Sequence, residues 1–250
     1  MTYPFFSVII PTLNEEKTIN QILDALKDQV DRDFEVIISD SFSEDKTKKI
    51  AQGYQEKIPG FRFVEHKSNN VSVARNYGAS LAKGGFLIFF DADVAFEPGF
   101  TKKLKELIIL HNLGALTVWN RPKEKGWKGK FILTLLNVVM VIFQKIKPSA
   151  NGPCIIIKKT LFNQVKGFDE TIVFGEDFDL IQKAFRIKAK FAVFRKPLLY
   201  VSARRFEKEG IIFSLYKSIK AIFYQLFFGP IRKPIFEYKM GGHYYDKSKK

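Results

Sequence analysis

Cysteine is almost missing from this chain of 250 residues: Cys154 stands alone. A single thiol excludes an internal disulfide framework and any zinc site built from several cysteines. Its setting, Cys154-Ile-Ile-Ile157, reads as a buried strand, so an inert core thiol is expected. Histidine is scarce as well. His66, His111 and His243 are scattered and show no metal-ligand spacing. Neither the Gly-x-Gly-x-x-Gly turn of a dinucleotide fold nor a Walker pattern occurs, which argues against those two phosphate cradles. The chain enters a strand-like run almost at once, with no leader-like stretch before it, so the cytoplasm is the default expectation for its location. Long hydrophobic runs are missing too, since a spanning helix needs about 20 mostly apolar residues. The stretch from Phe131 to Ile146 has 16 residues and is interrupted by Thr134, Asn137, Gln144 and Lys145. The stretch from Ile211 to Phe228 has 18 and contains Lys217 and Lys220. Both are expected to be interfacial or core helices.

Positive charge, by contrast, is abundant and unevenly spread. The formal net charge is +15. Residues 1–120 hold 14 basic and 16 acidic side chains, and residues 151–185 hold four and five. The excess sits in residues 121–150, with seven basic and one acidic, and in 186–250, with 16 and four. Both of these segments also carry the apolar stretches. Basic residues beside Phe, Ile and Leu suit a leaflet of anionic lipid, at which the protein would be peripheral or monotopic. A nucleic-acid reader shares the charge but seldom the apolar run, so no nucleic-acid partner is expected.

Apolar periodicity alternates between strand and helix along the first hundred residues. Phe6–Ile10, Phe34–Ile38, Phe61–Glu65 and Phe86–Phe90 read as strands, the first ended by Pro11. Glu15–Leu26, Asp45–Tyr54 and Ser72–Ala82 read as helices between them. Ala74, Gly78 and Ala82 give the third helix a small-residue face for close packing. Such alternation predicts a mainly parallel sheet covered by helices on both faces. There is no internal repeat and no low-complexity linker.

The most informative stretch is Phe86-Leu-Ile-Phe-Phe-Asp-Ala-Asp93. Five apolar residues of a buried strand run into two carboxylates. That puts anionic groups at the carboxyl edge of the sheet, where open α/β folds bind ligands. Asp also starts turns for purely structural reasons. As ligands, hard carboxylate oxygens suit Mg²⁺ or Mn²⁺ carrying a diphosphate.

Five signatures then occur in order: Ser7-Val-Ile-Ile-Pro-Thr-Leu-Asn-Glu-Glu16, Val36-Ile-Ile-Ser-Asp-Ser-Phe-Ser-Glu-Asp-Lys-Thr47, Ala74-Arg-Asn-Tyr-Gly78, Asp91-Ala-Asp93, and Gly167-Phe-Asp-Glu170 followed by Gly175-Glu-Asp177. With them the chain resembles a family 2 inverting glycosyltransferase of the GT-A fold over about residues 5–205. The resemblance implies a catalytic domain over 1–205, with a nucleotide-binding half at 1–120 and an acceptor-side half at 121–205. The basic, apolar extension 206–250 is expected to hold amphipathic, membrane-interfacial helices. The resemblance also implies a nucleotide-sugar donor, UDP- or GDP-linked, and a lipid-linked or glycan acceptor. A soluble enzyme acting on a small molecule or protein, or a catalytically silent binding module, is the rival reading.

Site roles follow from the same resemblance. Pro11 and Thr12 would line the base pocket, with Asn14 and Glu15 near the ribose unless they only cap the first helix. Asp40 would bind base or ribose, although Phe42 stands where a small residue is usual. Asp45 and Thr47 are expected to cap the next helix. Arg75 would face the nucleotide, unless it is a surface arginine. Asp91 would face the ribose and Asp93 would hold the metal. Asp177 is the candidate general base, with Glu176 orienting the acceptor or a helix end. Both acids also suit a helix N-terminus on dipole grounds alone. Gly152 would let substrate approach the backbone. Arg204 or Arg205 would clamp the diphosphate, unless they form a solvated basic turn.

Overall fold

The computed structural model describes residues 3–68 and 70–202, together with 210, 216, 217, 220, 221, 224, 225, 227–233 and 235. The expected helices of 206–250 and the pair Arg204 and Arg205 lie largely or wholly outside the described residues.

Among the described residues, eight strands form one sheet. They are β1 (Phe6–Thr12), β2 (Phe34–Asp40), β3 (Arg62–Glu65), β4 (Phe86–Phe90), β5 (Ala95–Phe96), β6 (Ala115–Pro122), β7 (Cys154–Lys158) and β8 (Phe191–Val201). The helices are α1 (Ile19–Lys27), α2 (Thr47–Gln52), α3 (Val71–Leu81), α4 (Phe100–His111), α5 (Trp127–Phe143), α6 (Lys159–Gln164) and α7 (Glu176–Arg186). The strand order is β3-β2-β1-β4-β7-β6-β8-β5.

The sheet is mainly parallel, as expected, and becomes mixed on the acceptor side. Pairing is parallel through β3, β2, β1 and β4, as βαβ crossovers require. Past β4 the sheet is mixed. β7 runs antiparallel to both β4 and β6, β8 is parallel to β6, and β5 is antiparallel to β8.

Alternation along the central strands sorts the core into two layers. Val8, Ile10, Val36, Ile38, Ile88, Phe90 and Ile156 face α1, α2, α4 and the Leu133 side of α5. Ile9, Ile37, Leu87, Phe89, Ile155 and Ile157 face α3, α6 and α7. Both faces of the sheet are therefore covered, and each strand reads as a continuous apolar run for that reason. Cys154 is fully buried in the first layer, and burial pushes its thiol well above the ordinary range, as an inert core thiol requires.

Some boundaries move. β1 continues through Pro11 to Thr12. Its pairing with β4 stops at Ile9, so Pro11 has only β2 beside it and the missing N–H interrupts no central ladder. α1 starts at Ile19 rather than Glu15, because the backbone of residues 14–16 is bonded to a neighbouring loop. Its Ile19, Ile22, Leu23 and Leu26 are all buried at the expected helical spacing.

The small face of α3 is real. A Cβ on Gly78 would lie 2.6 Å from Cγ2 of Ile9, and Ser39 Oγ donates to the Ala74 carbonyl at 2.7 Å. Gly78→Val is therefore expected to cost about 1–3 kcal/mol of folding stability by overpacking. Urea denaturation would show a lower midpoint at unchanged slope; an unchanged midpoint would mean that α3 shifts freely off β1.

Candidate active site

The site grows from the carboxyl end of β4. Pairing of β7 against β4 sets Cys154 opposite Phe90, so the turn holding Gly152 and Pro153 lies beside Asp91. The strand stops at Phe90, and Asp91-Ala92-Asp93 is a turn. From the other face of the sheet α3 delivers Arg75. This residue is 2% exposed, which removes the surface reading. Its guanidinium donates to Asp91 Oδ1 at 3.0 Å, to Glu176 Oε1 at 2.8 Å and to the Gly152 carbonyl at 3.4 Å. It also lies 5.3 Å from the centre of the Phe168 ring.

One buried cation thus joins the end of β4, the turn before β7 and the first residue of α7. Glu176 is held by Arg75, and Asp177 follows it. A Cβ on Gly152 would stand 3.4 Å from Asp177 Oδ2, so the glycine keeps the space over that carboxylate open. Burial, with the Glu176 charge adding to it, pushes Asp177 up to about 7, against a hydrogen bond from the Phe178 N–H that lowers it. Burial also raises Asp91, which Arg75 only partly offsets and which Asp93 and Glu176 push further.

Residue 76 extends the clamp. Asn76 accepts from the Phe168 N–H at 3.0 Å and donates to the Phe168 carbonyl and to Glu170. Gly167 has φ +65°, and a Cβ there would come within 2.7 Å of Asn76 Oδ1. Arg-Asn on α3 and Gly-Phe-Asp-Glu ahead of α7 are therefore two halves of one contact.

The nucleotide-side expectations fall on a second cluster. Thr12 Oγ1 donates to Asp40 Oδ1 at 2.6 Å, and Asp40 also accepts from the N–H and hydroxyl of Ser43. Asp40 is 1% exposed and anchors the loop on which Phe42, half-exposed, takes φ +55°. An open cleft of about 480 Å³ lined by Ser41, Phe42, Lys67 and Ser68 adjoins it. Asn14, at φ +56°, accepts from the Glu44 N–H, while its own N–H donates to Ser43. Thr47 accepts from the Glu15 N–H and Asp45 from the Glu16 N–H. Asp45 and Thr47 therefore pin the β1 loop, and, against expectation, neither is the N-cap of α2, a position held by Lys46 with no side-chain cap bond. Neither Asn14 nor Glu15 caps α1, whose N-cap position is Thr18. Burial pushes Glu15 up to about 7, with Asp93, Asp91 and Asp45 contributing and a hydrogen bond from Thr18 opposing.

Two participants were not legible in sequence. His66 reaches Ser41 across 3.5 Å, and the Lys123 ammonium donates to the Asp93 carbonyl and to Gln21. Nothing local marks either residue; each arrives through sheet order.

A family model described as glycosyl transferase family 2 matches residues 7–164. The chain belongs to glycosyl transferase family 2. An uncharacterized glycosyltransferase of Rickettsia bellii is 24% identical over 218 residues, 83% of this chain and 31% of that one. The S. aureus TarS structure in complex with UDP-GlcNAc superposes with a TM-score of 0.64 at 24% identity, covering 79% of this chain and 58% of that chain. The Pyrobaculum calidifontis mannosyltransferase PcManGT, in complex with GDP-Man and Mn²⁺, gives 0.70 at 21% identity, covering 88% and 65%. These likenesses carry the fold, of GT-A type. The chain spans less than two thirds of each of these three proteins. The family 2 match ends before Gly167, so the α7 acids lie beyond it.

Do the acids suit a cation? Among the described residues, no three His, Cys, Asp or Glu side chains converge as a ready-made cage. Yet Asp91, Glu176 and Asp177 gather about one guanidinium with Asp93 acting on Asp91, and the mutual repulsion of these acids helps to raise Asp91 and Asp177. That surplus of hard oxygen suits Mg²⁺ or Mn²⁺, which binds through one or two carboxylates plus substrate phosphate.

Replacing Arg75 by Met strands two carboxylates in the protein. The expected loss is about 3 kcal/mol at pH 8. Without Arg75 the Asp91 pKa in the folded state rises further, so the loss should shrink as pH falls toward 5 and that acid protonates. A pH-independent difference in denaturation midpoint would show that the ion pairs contribute nothing.

Proposed function

We propose that this chain is a metal-dependent, inverting glycosyltransferase that moves a sugar from a UDP- or GDP-sugar to a lipid-linked or glycan acceptor at a membrane surface. The observation that carries the reading is the Arg75 clamp. It joins the Asp-x-Asp turn to the start of α7, so that acid pair and a carboxylate of pKa about 7 belong to one cluster. The UDP-GlcNAc and GDP-Man in the two solved neighbours support the donor class.

In this reading Thr12, Asn14, Glu15 and Asp40 shape the nucleoside end beside Pro11, and Asp91 faces the ribose. Asp93 would hold Mg²⁺ or Mn²⁺, which neutralises charge growing on the leaving diphosphate. Asp177 takes the proton from the acceptor hydroxyl. That oxygen forms a bond to the anomeric carbon on the face opposite the diphosphate. The carbon–oxygen bond to the diphosphate breaks, and its electron pair leaves with the nucleoside diphosphate. Configuration inverts because a single displacement occurs. A base with pKa near the working pH is the efficient one. Gly152 leaves room for the acceptor, and Glu176 fixes the base by holding its helix end to Arg75. The basic, apolar character of 121–150 supports a peripheral position at the cytoplasmic face of a membrane. No described helix is long and apolar enough to cross one.

Nucleoside diphosphate with Mn²⁺ should stabilise the protein by about 2.7 kcal/mol at a hundredfold excess over its dissociation constant. Asp93→Ala, or EDTA, should abolish the shift; wild-type affinity in either case removes the metal from the reading.

Asp177→Asn should keep donor binding and lower turnover about 10²–10⁴-fold. A matched loss of donor affinity would give Asp177 another role.

The base works only when deprotonated. Wild-type kcat/KM should therefore rise with pH through about 7 and level off above it. A profile that is flat from pH 6 to 8 contradicts the assignment.

A further inference from the structure

Helix α5 has two unlike long faces. Ile132, Leu133, Asn137 and Met140 are buried, and Asn137 bonds both ways to the Asn120 backbone on β6, at 3.1 and 2.9 Å. On the opposite side Trp127, Phe131, Leu135, Val138 and Ile142 stand at spacings of four, four, three and four residues. They are exposed by 73, 62, 43, 36 and 62%. At 3.6 residues per turn these five fall within about 80° of arc and form one stripe about 22 Å long. Single exposed apolar residues are ordinary, but a contiguous row of large ones marks an interaction surface.

Charge identifies the occupant. Lys125, Lys128 and Lys130 flank one end of the stripe and Lys145 and Lys147 the other, and no acidic residue occurs between Glu124 and Asp169. A second copy meeting this face through its own α5 would bring lysines against lysines. An anionic lipid leaflet meets both requirements, since its headgroups pair with the ammoniums and its acyl boundary takes the aromatic and aliphatic row.

The helix is also tied to the cleft at each end. Ahead of it the Lys123 ammonium donates to the Asp93 carbonyl. Behind it Lys147 lies 5.5 Å from the centre of the Phe178 ring, next to Asp177, and Gln182 on α7 donates to the Pro148 carbonyl.

We propose that the outward stripe of α5 is the membrane-docking surface, seated in the interface of an anionic leaflet with the helix axis in the membrane plane. The inference rests on the membrane-surface reading above and deepens it by naming the element. It also gives the cleft a direction, because the element that meets lipid is braced against the candidate base.

Tryptophan fluorescence tests this without any substitution. The chain has two tryptophans; Trp119 is buried and Trp127 is the most exposed residue of the stripe. Vesicles of phosphatidylglycerol and phosphatidylcholine should shift the emission to the blue, brominated acyl chains should quench it, and pure phosphatidylcholine should do much less. The triple variant Phe131→Ser, Leu135→Ser, Ile142→Ser should weaken vesicle binding by on the order of tenfold or more. Lys128→Glu with Lys130→Glu should weaken it by at least about fivefold per lysine at low salt.

Nucleoside diphosphate binding, read by thermal shift, is the separate readout. Lost vesicle binding with retained nucleotide binding in the triple variant supports the proposal. Should that variant not fold, quenching of wild-type Trp127 by brominated lipid decides. No shift or quenching in the wild type overturns the proposal. So does vesicle binding that survives the triple substitution, or a concentration-dependent dimer that the substitution dissociates. Failure of the wild type to bind any nucleotide while docking persists would strike the donor reading and leave the docking surface standing.

Discussion

A buried guanidinium is costly unless carboxylates meet it, and this site is built around that requirement. Arg75 is desolvated under α3 and held by Asp91, Glu176 and the Gly152 carbonyl. The dependence is mutual, because those acids would be as poorly placed without it. Three segments that are remote in sequence are thereby fixed relative to one another. They are the turn that ends β4, the turn that begins β7, and the first turn of α7. Charge balance is incomplete, since more carboxylates than cations gather there. Burial, with that imbalance adding to it, raises the affinity of Asp177 for a proton.

Neighbouring contacts make the clamp rigid. Phe168 lies against the guanidinium, and Asn76 holds the backbone on either side of it. Gly167 needs both its positive φ and its missing Cβ for that approach. At the other end of the cleft the loops after β1 and β2 are bonded to each other through Asn14, Glu15, Glu16, Ser43, Asp45 and Thr47. Asp40 spends both oxygens within the protein, which stiffens the wall of the cleft beside it.

The two halves of the chain differ electrically. The nucleotide-side half carries slightly more acid than base, and its acids converge at the sheet edge. The second half carries the basic excess, and α5 displays part of it around an apolar row.

The central strands, their burial on both faces and the apolar spacing of α1 were legible in sequence, because each is a local pattern with a fixed period. So was the Asp-x-Asp turn, since a buried strand must end where charge begins. Other features could not be read locally. The antiparallel return of β7 depends on where a distant segment pairs, and only that pairing brings Gly152 to Asp91. Arg75 reads as a nucleotide-facing or a surface residue until α7 supplies Glu176. Asp45 and Thr47 look like helix caps until the β1 loop arrives beside them. The stripe on α5 was visible only as greasiness, because its periodicity does not say which face the sheet covers. Local composition thus determined the elements and the chemical class of the site. Tertiary structure decided which carboxylates share a cation, which of them burial raises, and which apolar face stays outside, because burial and charge pairing are set by contacts between residues far apart in the chain.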